Sequence, residues 1–230
     1  YDTTVFVEAT IESVIHTLIE AFVLVTIVVF VFLGNLRATI IPIVAVPVAL
    51  IGTFAVMLAL GFSLNTISLL ALVLAIGIVV DDAIVVVEAV EHILEHEPDL
   101  TVAEATEKAM TQVTGPIIAI TLVLLSVFIP TAFIPGIAGQ LYSQFAVAVS
   151  VAMVISAINA LSLSPALCSL ILRHRKKPRG VMAWLQNGID KSRDGYVRLV
   201  TPIARRTFLA LLLVGGFVVA TGGIGSLVPS

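Results

Sequence analysis

Six stretches of this chain, 13–33, 38–60, 64–88, 113–134, 144–172 and 207–230, run near or above the ~20 residues that a helix needs to cross the hydrocarbon of a bilayer. Lipid offers no hydrogen-bond partner to a bare backbone, so runs of this kind fold as helices. Only 12% of the 230 residues are charged and 59% are hydrophobic, against roughly 25% charged in an ordinary soluble domain. The expected fold class is therefore an all-α membrane protein with six transmembrane helices. The first run has no basic segment before it and opens YDTTVFVEATIE, which makes it a span and not a signal peptide.

The net charge of −3 singles out no class of partner, but the placement of the cations is informative. Of the 12 Lys and Arg, Arg37 lies in GNLRAT, Lys108 in the 89–112 loop, and the other ten between Arg173 and Arg206. These are alternate connections of a six-helix path, so all of them fall on one side, which the positive-inside bias makes cytoplasmic. Both ends of the chain then face outward. The opposite turns, GFSL and FIPGIAGQLY, are uncharged and short, so the helices they join are expected to pack as antiparallel neighbours. No soluble domain is expected within these residues.

Two cytoplasmic stretches have their own pattern. TVAE, from Thr101, reads as a capping box with Glu104 and starts a helix running toward Gly115 and Pro116. Within the basic connector 173–206, Val181, Trp184, Leu185, Ile189 and Tyr196 recur near helical spacing beside Lys191, Arg193 and Arg198. That is the pattern of a helix lying flat on a membrane surface, and equally of a connector that happens to be amphipathic.

Most polar groups in the spans need no function. Thr53, Thr121 and Ser126 can bond back to their own helices, and Asn65 is placed to cap one. Asn159, between Ser156 and Ser162, is expected to bond a neighbouring helix. Pro42, Pro47 and Pro165 bend helices or mark their ends. Cys168 is a small buried hydrophobe. His92 and His96 share a helix face but lie in an acid-rich stretch, EHILEHEPD, with no third ligand in view, so no metal site is expected.

The acid pair Asp81 and Asp82, in AIGIVVDDAIVVVEAV, resists this treatment. Each charged Asp costs about 2.5–3.5 kcal/mol near the bilayer centre, and two adjacent ones repel. At ~1.5 Å per residue Asp81 lies about 10 Å short of Glu88, too far for so short a side chain to reach water. On a helical wheel Asp82 shares a stripe with Ser68, Ala71 and Ala75, while Asp81 falls on the adjacent flank beneath Gly77 and in line with Glu88. Small residues admit a close neighbour, so the pair is expected to point into the bundle. No Lys, Arg or His occupies the interior of the other runs. Either the acids carry protons at rest, or a helix outside this chain supplies a cation. Both readings make them proton-handling groups, the default for ionisable residues inside a membrane. Glu20, in HTLIEAF, is a possible secondary acid that either assists water from outside or reaches the interface.

These residues carry a likeness to a known family. GIVVDDAIVVVE, together with YDTTVFVEATIESVIHTLIEA, FLGNLRATIIPIVAVPVALIGTFAVMLALGFSLNTIS, VFIPTAFIPGIAGQLYSQFAV and LSPALC, resembles the RND superfamily of proton-driven exporters. The likeness is to its hydrophobe/amphiphile efflux pumps of the AcrB/MexB type. The resemblance implies a secondary active transporter, not an enzyme, that uses protons as coupling ion and has no other cofactor. It implies a twelve-helix homotrimer in the bacterial inner membrane, carrying hydrophobic or amphiphilic substrates to a periplasmic adaptor and outer-membrane channel, with no nucleic acid as partner. Residues 1–172 would be helices 2 to 6 of that pattern, 173–206 the connector and 207–230 helix 7, with the periplasmic porter domains absent. Asp81 and Asp82 would be the proton relay, partnered by a Lys on a helix of the second half, and Gly77, Ala71 and Ala75 would be the packing residues beside it. It further implies multidrug efflux, and with it antibiotic resistance.

Other readings are open. An intramembrane aspartyl protease also uses two Asp, but its dyad must converge from separate helices, whereas adjacent residues diverge by ~100°. A relative of the same fold could export lipid or other cargo, or the chain could be a truncated, non-transporting membrane scaffold.

Overall fold

The computed structural model describes residues 3–62 and 65–173, together with Gly188, Lys191, 195–198, Val200, Thr201, Gly215 and Thr221. Six helices follow one another in the unit Tyr1–Lys177: α1 Thr3–Leu33, α2 Leu36–Ala59, α3 Thr66–His96, α4 Val102–Thr131, α5 Ile137–Leu161 and α6 Leu163–Ile171. There is no strand among the described residues. Five stretches are long and apolar enough to cross a membrane: Glu12–Leu33, Leu36–Ala59, Thr66–His96, Val102–Thr131 and Tyr142–Ile171. The protein is an all-α membrane protein. The span expected over 207–230 and most of the connector 173–206 lie outside the described residues.

Local chemistry sets the helix ends. Gly34, with φ of 61°, turns the chain out of α1, a conformation that costs glycine nothing. Asn35 then caps α2, its Oδ1 accepting the Arg37 N–H at 3.1 Å, while its amide donates to Glu91 of α3 at 2.9 Å. Asn65 caps α3 by accepting from the N–H groups of Ile67 and Ser68, and the Ser68 hydroxyl closes the box by accepting from the Asn65 N–H. Thr101 and Glu104 form the same kind of box at the start of α4. Each such cap is worth about 1 kcal/mol.

The run 144–172 departs from a single helix. α5 stops at Leu161 and α6 starts at Leu163, because Pro165 has no N–H for the Leu161 carbonyl and its ring crowds that oxygen. Two prolines in α2 and two in α4, Pro42 and Pro47, Pro116 and Pro130, are accommodated inside their helices. Thr53, Thr121 and Ser126 bond back to the carbonyls of Ala49, Ile117 and Val123.

α3 is the axis of the bundle and packs against each of the other five helices. Its buried Ile76, Val79, Val80, Ala83, Val86, Val87 and Val90 meet Ala38, Ile41, Ala45, Val46 and Ala49 of α2 in one cluster. A second cluster joins Ala71 to Met57 of α2 and to Ala148, Val149 and Met153 of α5. Alanines at these contacts bring the helix backbones close, and dispersion over that short distance holds helices together where lipid removes the hydrophobic drive. α1 and α4 are peripheral. They expose Ile19, Leu24, Phe32, Leu122 and Val123, all at about half or more of their area, a surface suited to acyl chains and not to water.

Candidate functional site

Asp81 and Asp82 lie on α3, and the bundle treats them differently. Asp82 is only 8% exposed, on the stripe of fully covered Ser68, Ala71 and Ala75. Its Oδ2 accepts the hydroxyl of Ser156 on α5 at 2.6 Å, a charge-assisted geometry when the carboxylate is ionised. Ser156 itself is 1% exposed. α3 and α5 are joined a second time, where the Asn65 amide donates to the Gln144 side chain. The seam beside Asp82 is thus clasped at two levels.

Asp81 is exposed among the described helices. One residue of α-helix turns the side chain by ~100°, and none of the described helices covers that flank of α3. Gly77 lies on the same open side. A Cβ placed there would meet no atom within 4 Å, whereas Ala71 and Ala75 are buried on the flank of Asp82. Leu70, Leu74, Val85 and Glu88 continue the open strip along the helix.

Glu20 is not brought to the pair. It sits on α1, exposed, with its carboxylate 3.1 Å from His16 Nδ1. His92 and His96 stack with ring centroids 4.2 Å apart, and no group of three potential metal ligands occurs among the described residues. The described cations serve elsewhere or lie exposed: Lys108 pairs with Glu97 at 2.6 Å. Among the described residues neither Asp81 nor Asp82 forms an ion pair with a Lys or Arg.

Ser156 is the residue that sequence reasoning left unassigned. Its mid-span position was visible, but nothing in the order of residues said that α5 and not another helix lies against Asp82. Asn159, expected to bond a neighbouring helix, is buried, yet its amide nitrogen has no partner.

The described helices thus form an apolar-surfaced bundle around α3 with one sealed and one open carboxylate, and comparison with known proteins places the chain in a family. The whole chain, residues 1–230, matches the AcrB/AcrD/AcrF family, and the chain belongs to that family. It is 45% identical to the multidrug export protein AcrF of Escherichia coli (strain K12) over 95% of this chain and 22% of that protein. It is likewise 45% identical to the toluene efflux pump membrane transporter TtgE of Pseudomonas putida, over 99% of this chain and 22% of that protein. Multidrug resistance protein MdtF of Escherichia coli is 44% identical over 90% of the chain and 20% of its own length. The chain spans about a fifth of the length of these curated relatives. The likeness read from the motifs to the RND exporters is thereby established.

Proposed function

We propose that these residues are the proton-relay part of the transmembrane domain of a proton-motive-force-driven exporter of hydrophobic or amphiphilic compounds. The observation that carries the reading is the split acid pair. Asp82 is sealed against α5 by one serine hydroxyl, and Asp81 lies on a flank that the chain's own described helices leave bare. Two carboxylates in hydrocarbon are costly unless they do work or find a cation. The open flank is where a cation-bearing helix from the rest of the transporter would pack, and protonation of the acids would release it. The relatives' names, multidrug export and toluene efflux among them, supply the cargo class.

In this reading the basic connections face the cytoplasm of a bacterial inner membrane. Asp81 and Asp82 take up protons from the opposite side, and the helix shift that follows drives substrate-handling domains outside these residues. The functional unit is a homotrimer working with a periplasmic adaptor and an outer-membrane channel. The energy is adequate: a proton crossing ~100 mV yields ~2.3 kcal/mol, enough to shift a two-state equilibrium about 50-fold. Adding a transmembrane pH difference raises the shift further.

The test is Asp82→Asn in the complete transporter. The substitution keeps the size of the side chain and a hydrogen bond with Ser156 but removes the exchangeable charge. Export driven by a proton gradient is expected to fall to background while the protein accumulates in the membrane at parental level. Parental export by the variant would overturn the relay assignment.

A further inference from the structure

The open flank of α3 does not end at Glu88. Asp81, Val85, Glu88, His92 and His96 are all exposed among the described helices, at steps of four, three, four and four residues, so they lie along one face. α3 has 31 residues and at ~1.5 Å each is about 46 Å long, against ~30 Å of hydrocarbon. The excess falls at its C-terminal end, where Glu88, Glu91 and Glu95 accompany the two histidines. The imidazoles therefore stand where dissolved ions reach them. Their rings stack with centroids 4.2 Å apart and planes 26° from parallel. His96 Nδ1 is 2.9 Å from the His92 carbonyl oxygen. A carbonyl only accepts, so Nδ1 carries the hydrogen and donates, and Nε2 of the neutral ring is the lone-pair nitrogen. A ring N–H held by a backbone carbonyl is the support that fixes tautomer and orientation in metal-binding histidines.

We propose that His92 and His96 form a two-point chelate for a borderline divalent transition-metal ion, Cu²⁺ in preference to Zn²⁺, on the face of α3 that also carries Asp81. The inference does not depend on the relay reading. Two imidazoles one helical turn apart are a recurrent metal-binding pair, and the neutral ring suits Cu²⁺ and Zn²⁺ but not hard ions such as Mg²⁺. Metal–nitrogen bonds of ~2.0–2.1 Å place two such nitrogens about 3 Å apart on one ion. The stacked rings reach that spacing by swinging their nitrogen edges together, a side-chain movement on an exposed surface. The second imidazole then binds intramolecularly, which tightens the site about 10²-fold over a single histidine. Lys108, the described cation of the neighbouring segment, is neutralised by Glu97, so the acid-rich surroundings favour the ion's approach. No third His, Cys, Asp or Glu completes a ligand set among the described residues, and water fills the other positions. That composition argues against a closed structural site and suits Cu²⁺, which accepts a tetragonal set of nitrogen and oxygen ligands. A hydrolytic zinc centre of the His-x-x-Glu-His kind needs a third protein ligand, so HILEH marks a binding site here and not a catalytic one.

The test is a Cu²⁺ titration of the complete transporter in detergent, read by calorimetry for affinity and by electron paramagnetic resonance for the nitrogens on the ion. The tightest equivalent per chain is expected to carry two imidazole nitrogens. His92→Ala and His96→Ala are each expected to lose one of them and to weaken binding about 10²-fold, with the double variant little worse than either. Both side chains are exposed, so the variants are expected to accumulate and fold as the parent does. His16→Ala, which breaks the His–Glu pair at the same spacing on α1, is expected to leave the signal intact. An unchanged nitrogen count or affinity in His92→Ala or in His96→Ala overturns the chelate. So does displacement of Cu²⁺ by an equal concentration of Mg²⁺, which would mean that carboxylates hold the ion. Normal export by Asp82→Asn would end the relay reading and leave this site standing.

Discussion

The two flanks of α3 differ more than any two helices of the bundle. On one, Ser68, Ala71, Ala75 and Asp82 are covered by α5 and α2 at close range, and the acid there has a named partner. On the other, Leu70, Leu74, Gly77, Asp81, Val85 and Glu88 form a strip that the described helices leave partly exposed. The strips are one residue out of step, so the same short motif feeds both. The contrast teaches that two neighbouring acids need not be a chemical pair. One is built into the fold of these helices, while the other is offered to whatever packs beyond them.

Changes on the sealed flank should carry the largest structural effects. Ala75→Leu forces a large side chain into a close helix contact and is expected to cost about 1–3 kcal/mol, read as a lowered midpoint in a denaturation titration of the detergent-solubilised protein. A midpoint equal to that of the parent would mean that the seam is looser than its buried alanines indicate. Asn65→Ala, which removes the cap of α3 and the tie to Gln144, is expected to cost about 1–2 kcal/mol by the same measurement. Thr101→Ala removes a cap remote from both flanks and should cost about 1 kcal/mol without changing export at a fixed protein level. Altered export in that variant would show that the start of α4 communicates with the acids.

The open flank should show the smallest structural effect and a disproportionate functional one. Gly77→Ala meets no atom of these helices and replaces a poor helix former with the best one, so stability is expected to hold or to rise by less than about 1 kcal/mol. In the complete transporter the added methyl would crowd a helix seated on this strip, and export should fall. Unchanged export together with unchanged stability would indicate that the strip faces lipid. The comparison of the two flanks would then lose its functional meaning.

Much of this was legible in the order of residues. The spans follow from uncharged runs, and the caps at Asn65 and Thr101 follow from side chains within three residues of the groups they satisfy. The stripe beneath Asp82 follows from helical periodicity. All of these are local rules with one physical answer. The wheel separated Asp81 from Asp82, but not which flank the described helices would cover: Ala71 and Ala75 are buried, while a Cβ at Gly77 would meet no atom within 4 Å. A glycine permits approach without enforcing it. The stop at Leu161 was half legible, since Pro165 announced a disturbance but not whether it would bend the helix or end it.

By itself the chain of residues determined that this protein is a set of apolar helices with an acid pair out of place in lipid. Backbone hydrogen bonding in hydrocarbon leaves no other solution for such runs, and the charge of a carboxylate is a property of its side chain alone. Which acid is enclosed and that Ser156 is its donor were settled only when the helices packed. Those facts depend on which face of α5 lies against which face of α3, a choice made by shape and dispersion summed over the whole contact and written in no short motif.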